Sequence, residues 1–597
     1  MHSFSVYRFS AILIATAVVA ACGGGEQSNI NPAMTSTTSA ALPDPSTGVG
    51  VATAAPAATP AAPQPSWVDI AATKPASSAE AARFLTQASF GPTEASVAQL
   101  MAAPSYGAWF DQQRALPLTS RIARLSAKPW SATDNLNDFV TANFYQDAVD
   151  GNDQLRQRIH YALSNIFVIS FNDAVVRTNT RESINYLDTL SANAFGNFRT
   201  LLEQVTRSPT MGSFLTYENN QKENPATGTH PDENYAREVM QLFTLGLTQL
   251  NQDGSARLDA TGAPLPTYTQ DDISGLAKVF TGLVRYRASR GGSVDAALQP
   301  MQWRSASHST SEKRFLGTTI AATSTANPDA DLKIALDTLF NHPNVGPFIA
   351  RRLIQQFVTS NPGAAYIGRV AAAFNDNGNG QRGDLATVMK AVLFDPEARD
   401  LRRSAEPSFG KLRDPTLRVT ALLRAFGASS ASGTFPFTEF DESSQSDAIG
   451  MTPYHAPSVF NFWSPGYSPP GSPLAANGLV GPELQVANEV SVAGNLNYLR
   501  AMLFVGLPLN QTDIQLSLDS LLAKASDPGA LADSMNSRLL YGQMSPVLRQ
   551  AITSAVTTVA LPAGAAATPA AMDAARRKRI RLAIYLTAAS PEFIVQR

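Results

Sequence analysis

Glu233, Arg237 and Glu238 fall within one stretch, THPDENYAREVMQLFTLGLTQL (229–250), and Asp271 and Asp272 follow in QDDISGLAKVFTGL (270–283). Carboxylates so placed suit three kinds of chemistry. A pair facing across a cleft can hydrolyse a glycoside, one member donating a proton and the other acting as base or nucleophile. The same oxygens can hold a divalent cation. Alternatively, Arg237 neutralises the glutamates beside it, Asn234 completes the hydrogen bonds, and the group is a buried ion network joining helices. Spacing leaves all three open. A second set of candidates is aromatic. The stretch MTPYHAPSVFNFWSPGYSPPGS (451–472) has neither a helical nor a strand period. Its His455, Trp463 and Tyr467, with Phe460 and Phe462, either line a ligand-binding cleft in which ring faces meet sugar faces or wrap the core as irregular chain.

These residues need elements to position them. The spacing predicts a helix over 229–250, started by Thr229 or His230 with Pro231 in its first turn and Asp232 and Glu233 at its positive end. Ala236, Val239, Met240, Leu242, Phe243 and Leu247 form its apolar stripe. Asn234, Arg237, Glu238 and Gln241 share the opposite face, and Gly246 marks either its end or a close neighbour. Thr269 is placed to cap the following helix, with Asp271 and Asp272 in its first turn. The turn Asn251-Gln252-Asp253-Gly254 between them is of the hairpin kind. Similar periods recur along most of the chain, and no alternation is strong enough for a large sheet. The expected fold is mostly α, multi-helical with long loops and at most minor β elements. A chain of 597 residues exceeds one ordinary core, so two or three subdomains are expected. Composition and period divide it into a first helical subdomain with the central helix (67–328), a second helical block (329–400), an irregular Ser-, Pro- and aromatic-rich segment (401–480) and a C-terminal helical block (481–597), with helices in the last at 485–505, 515–524, 545–560 and 571–588.

Several chemistries are disfavoured. A net charge of -2 gives no basic surface for nucleic acid. The GNG at 378–380 lacks the strand and spacing of a phosphate-binding loop, and HExxH, GxSxG and CxxCH do not occur. None of the six histidines lies three or four residues from another, which argues against a histidine-rich metal site. FNDNGNGQRGDL (374–385) echoes a calcium loop, but counting from Asn375 puts Ala386 where a bidentate glutamate is required. A polar turn whose Asp384 caps the next helix is the better reading. No cofactor is expected, and a divalent cation on carboxylates alone stays open.

Arg8 precedes an apolar run over 11–20, and Val19-Ala20-Ala21-Cys22 follows. This resembles the signal peptide and lipobox of bacterial lipoproteins. The resemblance implies removal of residues 1–21, acylation of Cys22, and stable anchoring by several acyl chains. Gly23 after the cysteine implies the outer membrane, facing the periplasm; secretion or surface exposure is the alternative. Cys22 is the only cysteine, so an intramolecular disulfide, a cysteine zinc site and a cysteine nucleophile are excluded. Residues 22–66 alternate Ala, Pro, Ser and Thr and read as a disordered tether.

FLTQASFGPT (84–93), NAFGNFRTLLEQVTRSPTMGSFL (193–215), PDENYAREVMQLFTLGL (231–247), HPNVGPFIARRLIQQFVTSNP (342–362) and APSVFNFWSPGYSPPG (456–471) resemble a large bacterial family catalogued as domain of unknown function number 1800. The resemblance covers roughly 80–597. It implies export and association with a second exported family that has an alkaline-phosphatase-like core, but it implies no reaction. The expected function is an envelope lipoprotein supporting assembly, export or binding of an envelope component. The alternative is a carboxylate-based hydrolase or lyase acting on envelope polysaccharide or peptidoglycan.

Overall fold

A Ser, Thr, Asp or Asn placed just before an apolar period recurs along the sequence, and the fold uses many of these residues to start helices. Ser77 accepts a hydrogen bond from the Glu80 amide and opens Ser78–Ala88. Thr93 and Ser96 close a reciprocal capping box on Glu94–Ala102, and Thr269 and Asp272 do the same on Gln270–Ala277. Asp384 caps Leu385–Phe394, as its place after the polar turn predicts. Each such cap is worth about 1 kcal/mol, so the start points are well determined locally.

The structure is a computed structural model that describes residues 66–127, 136–287, 294–435, 448–505 and 514–597. The predicted signal peptide, Cys22 and the tether as far as residue 65 lie outside the described residues. Among those described, the protein is mostly α. Apart from isolated bridges, its β structure is four antiparallel pairings of two short strands each: Leu283–Val284 with Gln302–Trp303, Lys313–Phe315 with Thr318–Ile320, Lys411–Leu412 with Val595–Gln596, and Ser429–Ser430 with Ile514–Gln515. No described helix is long and apolar enough to cross a membrane.

One apolar cluster joins side chains from Ala81 to Phe593, and the described residues form one compact unit. All four blocks drawn along the sequence contribute to that cluster. Its axis is the helix Val345–Phe357, which packs on Ala364–Asn375 and Leu385–Phe394 and buries Ile349, Leu353, Ile354 and Phe357. The C-terminus closes the end of this helix. Gln596 donates from Nε2 to the Phe357 carbonyl at 2.7 Å, and Lys411 pairs with Gln596 in the short ladder. Gly410 is required here: its φ is +107°, and a Cβ would stand 2.4 Å from the Gln596 carbonyl oxygen.

Two helical expectations are corrected. The stretch 229–250 is not one helix. Only Asn234–Glu238 is α-helical, and Val239–Thr244 continues as a π-helix. Thr229 instead bridges to Asn224 in an extended pairing, and Asp232 takes over at the start by accepting from the Asn234 amide at 2.8 Å. At the far end Gly246, with φ +74°, turns the chain away and leaves Leu247 exposed, so the apolar stripe stops at Phe243. In 515–524 only two brief 3-10 turns form, at Asp519–Leu521 and starting again at Lys524, while a regular helix, Pro528–Met535, follows Asp527 as its cap.

Candidate functional site

The carboxylates singled out in the sequence do meet, but at a surface. The helices Asn234–Glu238 and Gln270–Ala277 pack side by side. Glu233 accepts from Ser274 Oγ at 2.6 Å and from Gln270 Nε2 at 2.7 Å. Arg237 stands 3.8 Å from the same carboxylate and donates to Gln270 Oε1 at 3.2 Å. Its side chain is 41 % exposed, so this ion pair is solvated rather than buried. Asp272 is committed to the helix start: its carboxylate accepts from the Thr269 amide and hydroxyl and, at 2.6 Å, from the Leu316 amide. Asp271 is exposed beside it.

Glu238 differs from its neighbours. Only 5 % of it is exposed, and its Oε2 is buried without a hydrogen-bond partner. Burial raises its pKa above the ordinary range, against the pull of Arg237. Tyr268 lies nearby and donates to Gln241 Oε1 at 3.2 Å. Among the described residues, no group of three or more His, Asp or Glu side chains is placed to hold a metal ion. In the 374–385 turn, Asp376 and Asn377 spend their side-chain oxygens on the amides of residues 378–381.

The aromatic candidates divide differently. His455 is buried, with Nδ1 2.9 Å from the Pro453 carbonyl and its ring 5.9 Å from Phe171. Phe460 is exposed, whereas Phe462 and Trp463 are buried. Tyr467 is half-buried, and its carbonyl accepts from the Gly481 amide at 2.8 Å. With the Ser464 amide donating to Gln485 Oε1 at 2.8 Å, this bond clamps the turn Pro482–Val486 against the aromatic stretch.

That clamp completes a small polar cavity, lined by Arg352, Gln355, Gln356, Asn461, Trp463, Pro465, Pro482 and Glu483. Its free space of about 10 Å³ admits one water-sized group. The last turn of the helix Val345–Phe357 supplies Gln355 and Gln356. The Gln356 carbonyl, which has no partner within the helix, accepts from Lys411 Nζ at 3.0 Å and Arg158 Nη2 at 2.6 Å. Cations at this end also suit the helix dipole. Lys411 in turn binds Glu483 Oε1 at 2.7 Å, both side chains being almost wholly buried. Burial raises the Glu483 pKa despite Lys411. Three acceptors of the lining residues, Gln355 Oε1, Gln356 Oε1 and Glu483 Oε2, have no hydrogen-bond partner and almost no accessible surface. The Gln355 amide orientation is fixed, because its Nε2 donates to the carbonyls of Ser360 and Pro465, each at 3.1 Å. Asn461 holds the rim in the left-handed region, φ +67°, which asparagine tolerates, and donates to Asn165 Oδ1 at 2.9 Å.

Of the ligand-binding candidates read from the sequence, Trp463 lines this cavity and Tyr467 does not, and Arg352, Gln355, Gln356, Lys411 and Glu483 were not among the candidates. One signal was present: in LIQQFV (353–358) two glutamines interrupt an otherwise apolar run at a position that must be buried. Glu483 carried none. A wider groove of about 610 Å³ runs between Ser78–Ala88, Glu94–Ala102 and residues 533–542. Its lining is mainly apolar, including Ala82, Val97, Met101 and Tyr541, and Arg538 and Glu94 pair at 2.8 Å beside it.

Comparison of the chain with curated proteins and with solved structures gives no match. A family model described as "Protein of unknown function (DUF1800)" matches residues 83–595, from the first core helix to the C-terminal strand that holds Lys411 beneath the cavity. The chain therefore belongs to the DUF1800 family.

Proposed function

We propose that this protein is an envelope lipoprotein, anchored through Cys22 to the outer membrane, whose folded part binds a glycan component of the cell envelope. The observation that carries the binding reading is the cavity beside Trp463. Gln355 Oε1, Gln356 Oε1 and Glu483 Oε2 are buried acceptors with no protein donor. Leaving such a group unsatisfied costs about 1–3 kcal/mol, and a ligand that places one hydroxyl in the cavity would offset part of that cost. The anchoring reading rests on Arg8, the apolar run and Val19-Ala20-Ala21-Cys22. Two measurements test the proposal. Labelled palmitate is expected in the wild type and not in Cys22→Ser, and equal labelling of both refutes the anchor. Purified protein is expected to retain envelope polysaccharide on a column and to lose retention in Gln355→Leu; unchanged retention refutes this site.

A second reading, hydrolysis of the same glycan, has Glu238 in its favour, since a carboxyl held above the ordinary range by burial is what a proton donor needs. Release of reducing ends by the wild type but not by Glu238→Gln decides for it.

A further inference from the structure

We infer that the outward face of the helix Pro569–Ala588, with Lys578, Arg581 and Tyr585 and the neighbouring Arg500 and Phe504, docks on an anionic phospholipid surface. The inference rests on the membrane-anchor part of the reading above and adds which face of the folded part meets lipid.

The stretch RRKRIR (576–581) puts five cations in six residues of a chain whose net charge is -2. The helix sorts them. Arg579, Ile580, Ala583, Ile584 and Thr587 turn inward and are buried. Arg579 donates from Nε to the Val559 carbonyl at 2.8 Å and from Nη1 to the Ala525 carbonyl at 3.2 Å. Arg577 pairs with Asp573 at 2.8 Å and with Asp519 at 2.7 Å. Arg576 has a buried Nε. Lys578 and Arg581 stand on the opposite side of the helix, and neither has an ion pair or a side-chain hydrogen bond among the described residues. Tyr585 follows Arg581 at a spacing of four, so the three share one face.

A second helix, Glu489–Arg500, extends this face where it packs on Pro569–Ala588. Its last residue, Arg500, is exposed and makes no ion pair among the described residues. Burial raises the Tyr585 pKa, and the Arg500 guanidinium nearby opposes the rise. Phe504 is exposed and meets Tyr585 edge-on, with ring centroids 6.2 Å apart.

Three unpaired cations beside two aromatic rings narrow the partner. A neutral glycan or a cation gains nothing from Arg500, Lys578 and Arg581. An acidic protein segment would pair with them but gain nothing from Phe504. A bilayer with anionic headgroups uses both: rings settle at the headgroup level, while long basic side chains keep their charges at the phosphates. With Cys22 acylated, the folded part stays at high effective concentration beside a bilayer, where a weak contact suffices to orient it.

The test uses the chain that begins at Cys22, coupled through this sole cysteine to a maleimide lipid in vesicles. The link supplies the anchor chemically, so the result stands whether or not Cys22 is acylated in the cell, which palmitate labelling tests separately. Acetylation of Lys578 by an amine reagent is read by mass spectrometry, on phosphatidylglycerol-containing vesicles and on phosphatidylcholine alone. Lys333, exposed on the helix Pro328–Asn341, is the internal reference. Lys578 is expected to react at least about fivefold more slowly on the anionic vesicles, the factor that one basic side chain near such a surface supplies, and Lys333 equally fast on both. The protection is expected to vanish at about 0.5 M salt. It is also expected to vanish in Arg500→Gln/Arg581→Gln, which keeps the reporter lysine and, having removed no ion pair or hydrogen bond, the wild-type melting temperature. Equal reaction of Lys578 on the two vesicles overturns the inference, as does protection that survives the double substitution. Equal protection of Lys333 overturns it too, because the contact would then not belong to this face.

Discussion

Two polar regions of this protein use the same kinds of side chain in opposite surroundings. Around residues 233–274, Glu233, Arg237 and Gln270 form a lattice of short hydrogen bonds open to water. Around residues 352–356 and 483, Arg158, Lys411, Glu483 and two glutamines are enclosed by aromatic and aliphatic chain. Water screens and competes for the first set, so its ion pair adds little to stability. The second set has room beside it for no more than one water-sized group. Each of its charges needs a protein partner, and removing that partner is costly. The difference shows that a run of charged residues along a helix does not tell which of them the fold takes out of water.

Removing one partner of the buried pair should have the largest effect. Lys411→Met leaves the Glu483 carboxylate enclosed without its cation, and a loss of about 3–5 kcal/mol is expected in denaturant unfolding. The double variant Lys411→Met/Glu483→Gln should recover part of that loss. A wild-type midpoint for Lys411→Met would erase the contrast between the regions.

Glu238 lies at the boundary and gives a smaller, pH-dependent effect. Burial raises its folded pKa above its reference value of 4.5, so folding favours the protonated acid. Its contribution to stability is therefore fullest below that reference value and is lost as pH rises through the folded pKa. Glu238→Gln should match the wild type in acid and exceed it by about 1 kcal/mol at neutral pH. A gain that is the same at both pH values would show that the charge is not the cause.

The smallest effect belongs to the exposed pair. Arg237→Ala should cost about 0–1 kcal/mol, and less in high salt. Glu233 keeps its hydrogen bonds from Ser274 and Gln270 without Arg237. A loss above about 2 kcal/mol would place this face with the buried network instead.

Much of the fold was legible locally. Helix starts at Ser77, Thr93, Thr269 and Asp384, the break over 341–344 between two helices, and the mostly helical class all follow from a cap residue or turn next to an apolar period. These signals act within one turn of chain, so they are written in adjacent residues. The central stretch shows where this fails. Its spacing is as helical as any, yet packing winds 239–244 as a π-helix and turns the chain at Gly246, where the Phe348 ring is close.

The sequence by itself determined that the protein is helical, where most helices start, and that its single cysteine cannot form an internal disulfide. It also determined which residues could carry charge or stack on a ligand, since side-chain chemistry is intrinsic. Only the tertiary structure decided which of those groups lose water. Arg237 and Glu238 are adjacent in the chain, yet one is 41 % and the other 5 % exposed. Glu483, in an unremarked turn, is brought to Lys411 and Gln355 by strands and clamps that span more than a hundred residues. Burial is a property of the whole packed chain, and the cost of removing a charge from water depends on it; that is why a local pattern can name a residue but cannot say whether it forms a site.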